Sequence, residues 1–484
     1  MTTIKLDPGA ALLLDALHGA GHAAYAVGGC VRDSLLGLDP HDWDLCTSAR
    51  PEQVMALFGE ETCIPTGLQH GTVTVKQGGR LYETTTFRTE GAYSDGRHPD
   101  AVCFVPDVRE DLARRDFTLN AMAYSAEEGL IDPFGGRDDL AAHLVRAVGE
   151  PERRFEEDAL RILRLYRFAA RFGFAIDPAT GAAARALGPH LDCVSAERIQ
   201  EELLKLLAAP RPGSYLEPAV LAVILPELEP EKQPERFAEL CRTIDRIEPT
   251  AENMPARLAA LLCPLGEAGA RKALRKLKCS NALTDEVTAL EREAGGGAGS
   301  FLLGHEFELR HPADALCLER HSHPAGRCPN SNSLFPPQAA VVAVAGHSIA
   351  RPIACGNRVP PQRTVLGETP GTPNTTLTVQ AKRLLGRYEL PTIQRLTALC
   401  SARHPEQTGA FAALRAEAER LTAENACCRV SQLAVNGRDL MAAGVRPGPG
   451  LRQVLNALLE AVITGQTPNE KDALLAAAAQ FSAS

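Results

Sequence analysis

Ala26-Val-Gly-Gly-Cys-Val-Arg-Asp-Ser-Leu-Leu-Gly-Leu-Asp-Pro-His-Asp-Trp-Asp-Leu-Cys-Thr47 is the stretch from which the rest of the chain is read. A short apolar run, Tyr25 to Val27, meets Gly28 and Gly29, and a helix-like segment follows from Cys30 to Leu36. Two glycines at a strand-to-helix turn let backbone N–H groups approach a triphosphate, because no Cβ stands in the way. Asp42 and Asp44 alternate with Trp43 and Leu45, so an extended strand sends both carboxylates to one face. Hard oxygen ligands paired beside a phosphate cradle suit Mg2+. A lone Gly-Gly is usually a turn and a lone Asp-x-Asp a solvated strand end. Their succession, with Val31-Arg32-Asp33 between them, points to chemistry.

A chain of 484 residues can bury a sizeable core and form several domains. The net charge of −9 excludes a uniformly basic surface, so contacts with a polyanion must come from local Arg and Lys clusters. Aromatics make up only 5%, which leaves few platforms for base stacking. No apolar run approaches the roughly 20 residues that span a bilayer. Asp7, Pro8, Asp15 and His18 interrupt any signal-peptide pattern, and the cytoplasm is the expected location. Fourteen irregularly spaced cysteines without a Cys-x-x-Cys pair suggest free thiols.

Residues 9–20 are expected to form a short helix, and Pro51–Phe58 another, with Thr47 and Ser48 as candidate caps. Residues 70–76 and 80–87 alternate around Gly78-Gly79 as a hairpin. Glu83 on its second strand is either a third acid beside Asp42 and Asp44 or a solvated carboxylate; the residues alone leave both open. Residues 89–100 read as a mobile loop before a strand at 102–105. Arg114, Arg115 and Asp116 follow; beside a phosphate, Arg115 would offer the forked donors that phosphate oxygens favour. From Pro151 the pattern becomes long helices, one over 154–171 and one over 195–207 with a capping-box-like start at Ser195 and Arg198. Helical pattern is lost over about 300–380, where prolines cluster, and resumes at Ala381.

Asp158 and Arg161 are expected one turn apart on the 154–171 helix, an acceptor beside a donor. Cytosine and adenine each present an amino donor next to a ring-nitrogen acceptor, which this pair complements. Uracil and guanine place a carbonyl where the amine should be, opposite the carboxylate. Arg164 and Arg167 drift around the helix and are expected to reach ribose, phosphate or packing partners.

The succession of motifs resembles the DNA polymerase β nucleotidyltransferase superfamily. The run Glu157-Asp-Ala-Leu-Arg-Ile-Leu-Arg-Leu-Tyr-Arg167, soon after Asp132-Pro-Phe-Gly-Gly-Arg137, resembles the nucleotide-selecting motif of class II CCA-adding tRNA nucleotidyltransferases. The resemblance covers residues 23–208 closely, weakens to 300 and returns at 433–475. It implies an α+β fold: a nucleotidyltransferase head with a small mixed β-sheet and helices (1–149), then an all-helical neck (150–208) and body (209–300). An irregular or disordered insert (301–380) and a helical body end with a tRNA-binding tail (381–484) complete the expected order. By the resemblance Gly29, Arg32, Arg115, Asp158, Arg161, Arg164 and Arg167 match nucleotide-binding positions, with Gly28 in the same turn. Asp42 and Asp44 match the Mg2+ ligands; Glu83, from its place on the hairpin and not from the resemblance, is the candidate third catalytic acid beside them.

The implied reaction extends the tRNA 3′ end with C, C and A from CTP and ATP by two-metal nucleotidyl transfer, releasing pyrophosphate. A bacterial poly(A) polymerase is the alternative within the class, although such enzymes carry a basic Gly-Arg-Arg-Phe-type stretch where this chain has Thr66-Gly-Leu-Gln-His-Gly-Thr72. A partial enzyme adding only CC or only A, or an RNA-binding protein on an inactive head, are further alternatives. Intact Asp42 and Asp44 speak against the last. No His-Asp phosphohydrolase motif is found, so no second activity is expected, and the oligomeric state is not readable.

Overall fold

The computed structural model describes residues 3–91, 102–295 and 375–481. Most of the expected 89–100 loop and of the 301–380 insert therefore lies outside the described residues. The strands are β1 (Ala24–Val27), β2 (Leu45–Thr47), β3 (Cys63–Gly67), β4 (Thr72–Gln77), β5 (Arg80–Thr86), β6 (Arg88–Glu90), β7 (Val102–Phe104), β8 (Ala123–Ser125) and β9 (Gly129–Ile131), followed by β10 (Leu144–Val145) and β11 (Ala175–Ile176). Seven of them form one sheet in the order β3-β4-β5-β2-β1-β8-β9. The sheet is mixed: β2 runs parallel to β5 while β1 pairs antiparallel with both β2 and β8. The expected hairpin is β4–β5, and Gly78 and Gly79 turn it with φ of 58° and 80°, the positive pair that a two-residue turn needs.

Burial on both faces of the sheet explains why β1 reads as unbroken apolar sequence. Ala24, Ala26 and Leu45 pack into the main core, and Tyr25, Val27 and Cys46 into a second cluster with Phe87 and Leu112. Helix α1 (Pro8–Gly19) starts on Asp7, whose carboxylate accepts from the Gly9 and Ala10 N–H groups and from the Tyr82 hydroxyl, tying the helix to β5. It is followed by α2 (Gly29–Leu35), α3 (Pro51–Phe58), α4 (Val108–Ala113) and α5 (Gly136–Ala141). Helix α3 is not capped by Thr47 or Ser48. Its N-terminus is Arg50, whose N–H donates to the Gln53 side chain, while the Thr47 hydroxyl is drawn to the Ala23 carbonyl.

The remainder is helical: α6 (Pro151–Glu157), α7 (Leu160–Phe172), α8 (Pro178–Ala186), α9 (Ala196–Leu207) and eleven further helices among the described residues. Three expectations change here. The 154–171 segment is two helices, because the chain extends at Asp158 (φ −149°, ψ 104°) between α6 and α7. The neck is not purely helical, since β11 pairs in parallel with β10. The resumed helix begins at Thr375 rather than at Ala381. A separate small core, with Leu440, Leu458 and Leu474 at its centre, holds the C-terminal segment together. No described helix is long and apolar enough to cross a membrane.

Candidate active site

Gly28 precedes α2 with φ 77° and ψ −122°, a backbone that side chains with a Cβ rarely adopt. A Cβ there would also sit 2.8 Å from Nη1 of Arg115, so glycine is what lets that guanidinium close on the turn. Its N–H donates to the Met122 carbonyl, anchoring the turn beside β8. The turn forms one wall of a cleft of about 470 Å³ whose other wall is α7 and α9. Gly28, Gly29, Arg32, Asp44, Arg115, Asp158, Arg161, Arg164 and Arg167 all line it. Eight arginines against three aspartates line the cleft, so a strongly positive site exists in a chain of net charge −9.

Asp42 and Asp44 lie in the lead-in to β2 rather than on a strand, yet the alternation holds: Trp43 is buried between two exposed carboxylates. The Asp44 carbonyl accepts from the Val27 N–H, which fixes the acid next to the glycine turn. Its carboxyl is pushed up to about 6 by desolvation, then by the negative charges of Glu83 and Asp42, with Arg115 opposing. Water in the cleft screens part of that effect, because the side chain remains solvent-exposed. Asp42 and Glu83 are not cleft-wall residues; they act on Asp44 from beside it.

The arginines are each held by a named acid. Arg32 is buried, donates from Nε to Asp33 (2.7 Å) and from Nη1 to Asn120 (2.5 Å), and lies over the Phe172 ring. Arg115 donates to Asp111 at 3.4 Å, and its buried Nε has no hydrogen-bond partner. Arg164 forks onto Asp116 at 2.8 and 2.6 Å. Burial would raise the Asp116 carboxyl, but the Arg164 charge and the Asn120 amide outweigh it and hold it at about 2. Arg167 places Nε 2.7 Å from Glu202 and stacks 4.0 Å over the centre of the Phe168 ring. Arg171 reaches Asp33 at 3.3 Å.

Asp158 and Arg161 share the cleft, but not by helical spacing. Asp158 is the extended residue after α6, and the Arg161 N–H donates to the Asp158 carbonyl at 3.0 Å as α7 starts. Their side chains bond elsewhere. Arg161 donates to Glu157 at 2.8 Å and to the carbonyls of Arg154 and Arg114. Asp158 accepts from both terminal nitrogens of Arg198, at 3.2 and 2.8 Å. Ser195 makes no side-chain cap, so Arg198 is not part of a capping box. Sequence reasoning missed Arg198, Asp116 and Glu202 as site-builders, because the contacts that place them in the cleft join residues 40, 48 and 35 positions apart, and it missed that Asp33 also reaches Arg171, 138 positions away.

An arginine-lined cleft beside a turn without side chains, with acids in the lead-in to β2 and on β5, is what transfer of a nucleotide from a triphosphate requires, and the class is that of nucleotidyltransferases. Residues 24–146 match the family model "Poly A polymerase head domain", 173–232 "Probable RNA and SrmB-binding site of polymerase A", and 391–478 "tRNA nucleotidyltransferase domain 2 putative". The CCA-adding enzyme of Levilactobacillus brevis is 34% identical over 96% of this chain and 96% of its own, and that of Lactiplantibacillus plantarum 31% over 96% and 93%. The chain belongs to the CCA-adding enzyme family. With several other curated relatives it aligns over about half of their length, as with that of Limosilactobacillus fermentum, 49% identical over 40% of this chain and 48% of the relative. The crystal structure of the Bacillus stearothermophilus CCA-adding enzyme in complex with CTP superposes with a TM-score of 0.68, 30% identity and 98% coverage of both chains. The Thermotoga maritima CCA-adding enzyme complexed with tRNA, at 19% identity and a TM-score of 0.60, shares the fold.

Membership implies use of a divalent metal. Among the described residues no three His, Cys, Asp or Glu side chains form a ready-made cage. The acids around Asp44 nevertheless fit a hard cation that takes one or two carboxylates and completes its shell with water and substrate phosphate. A carboxyl raised by desolvation and then by its acidic neighbours is a group whose ionised form a cation would stabilise.

Proposed function

We propose that this chain adds C, C and A to the 3′ end of tRNA from CTP and ATP without a nucleic-acid template, releasing pyrophosphate. The observation that carries the reading is that Asp158 and Arg161 line the same cleft as Gly28, Gly29 and Asp44. A triphosphate seated against the glycine turn then places its base at the α6–α7 junction. Nη1 of Arg115, which lies against the glycine turn, donates to a phosphate oxygen, and Arg164 and Arg167, fixed by Asp116 and Glu202, hold the charge of the nucleotide. Arg32 stays on Asp33 and Asn120 and keeps the turn rigid beneath the phosphates.

Three of the five guanidinium donors of Arg161 are engaged, so two remain to donate to the ring nitrogen of cytosine or adenine. Asp158 accepts from the adjacent amino group, and a carbonyl at that place in uracil or guanine meets a carboxylate and is rejected. Asp42 and Asp44 hold Mg2+, with Glu83 as the neighbouring acid. When bound, the metal supplies Lewis-acid activation of the RNA 3′-hydroxyl and neutralises the triphosphate. We place the head at 1–149, the nucleotide-selecting neck at 150–208, the body at 209–300 and the body end and tail at 381–484, in the cytoplasm.

The test is incubation with Mg2+, labelled nucleotides and tRNA lacking its 3′ CCA and, in parallel, with tRNA ending in CC. CTP and ATP incorporation that stops after three additions is expected. Long A tails would instead show a poly(A) polymerase, additions stopping at CC or consisting of A alone a partial enzyme, and no incorporation an inactive head.

A further inference from the structure

We propose that Arg198 is a specificity-determining positioning residue: its two-pronged grip leaves Asp158 a single open acceptor, on Oδ2, for the amino group of the incoming base. The inference rests on the base-reading role given to Asp158 above.

Asp158 sits in extended backbone between two helices, so no helical rotamer fixes its carboxylate. Two partners do. Oδ1 accepts from the Leu160 N–H at 3.1 Å and from Nη1 of Arg198 at 3.2 Å; Oδ2 accepts from Nη2 of Arg198 at 2.8 Å. A carboxylate offers about four lone-pair sites, so three bonds leave about one, and it lies on Oδ2. The planar fork of arginine fixes both oxygens at once, which a lysine, as a point charge, does not.

Arg198 comes from α9, whose next turn carries Glu202, the partner of Arg167 and, at 3.8 Å, of Arg164. One helix therefore sets both ends of the nucleotide through different residues: Arg198 acts on the base reader, Glu202 on the arginines of α7. Loss of Arg198 frees the carboxylate to rotate, and discrimination between an amine and a carbonyl falls. Loss of Glu202 weakens the hold on the nucleotide without touching Asp158.

The experiment measures kcat/KM for CTP and UTP on tRNA lacking CCA, and for ATP and GTP on tRNA ending in CC, each nucleotide alone, for the wild type and for Arg198→Gln, Arg198→Lys and Glu202→Gln. For Arg198→Gln, CTP and ATP are expected to lose about 10- to 100-fold, the scale of a misplaced catalytic-site group. UTP and GTP should change little, so the selectivity ratio collapses about tenfold or more. Arg198→Lys should recover part of the ratio. Glu202→Gln should weaken all four alike and keep the ratio. A wild-type ratio in Arg198→Gln, or an equal loss of ratio in Glu202→Gln, overturns the proposal. Should Arg198→Gln fail to fold, Arg198→Lys with an unchanged ratio overturns it in the same way. A wild type without preference for CTP and ATP overturns the base-reading assignment itself, and the two failures are thereby distinguished.

Discussion

Replacing Asp44 by Asn should make the metal-free protein more stable at alkaline pH while abolishing its activity. The Asp44 carboxyl lies at about 6 instead of the ordinary 3.8, so the folded chain holds that proton more tightly than the unfolded chain does. A raised acid contributes its stability below the unfolded value and loses it as pH climbs through the folded one. Above pH 6 the wild type therefore carries an ionised group that folding disfavours, and a gap of about two pH units corresponds to about 3 kcal/mol at most. Because Asp44 is solvent-exposed along the cleft, screening cuts the expected gain to about 1 kcal/mol. Thermal melts of both proteins in EDTA at pH 8 and pH 4 provide the assay. Asp44→Asn should melt a degree or two higher at pH 8 and no higher at pH 4, where the wild-type carboxyl is protonated. Millimolar Mg2+ at pH 8 should raise the wild type and leave the variant unmoved. A variant less stable than the wild type at pH 8 without metal would refute the reasoning.

Three other outcomes follow from groups elsewhere. Arg257 is fully buried and donates only to carbonyls, those of Ile247, Leu207, Ala209 and Pro210; Arg257→Ala should cost about 3–5 kcal/mol in urea unfolding by leaving them unpaired. Glu291 is buried, and desolvation pushes its carboxyl up to about 7, with the Arg403 charge opposing. Its stability contribution is lost as pH rises through 7, so Glu291→Gln should raise the melting temperature at pH 8.5 and change it little at pH 5. Gly28→Ala meets both a positive φ and Nη1 of Arg115 at 2.8 Å, and kcat/KM for CTP should fall about 100-fold with a modest stability loss.

What the sequence made legible was local. The glycine pair before a short helix, the alternating acids and the Gly-Gly hairpin were readable because each rests on neighbours one to four residues apart. The break at Asp158 was not, since Glu157-Asp158-Ala159 contains neither Pro nor Gly and periodicity continues across it. The consequence is specific: Asp158 and Arg161 reach one cleft through a helix junction and not through i, i+3 spacing. Ion pairs such as Arg198–Asp158 and Arg164–Asp116 join segments 40 and 48 residues apart, and nothing local in either segment announces them. Single charged residues on amphipathic helices look alike whether they face solvent or a distant acid.

The base reading proposed for Asp158 and Arg161 needs no RNA strand, and equilibrium binding of the four nucleoside triphosphates to the free protein tests it most directly. Titration calorimetry without tRNA should find CTP and ATP bound at least about tenfold more tightly than UTP and GTP, the scale expected when a buried polar group is left opposed. Equal affinities for all four would contradict selection by the protein alone.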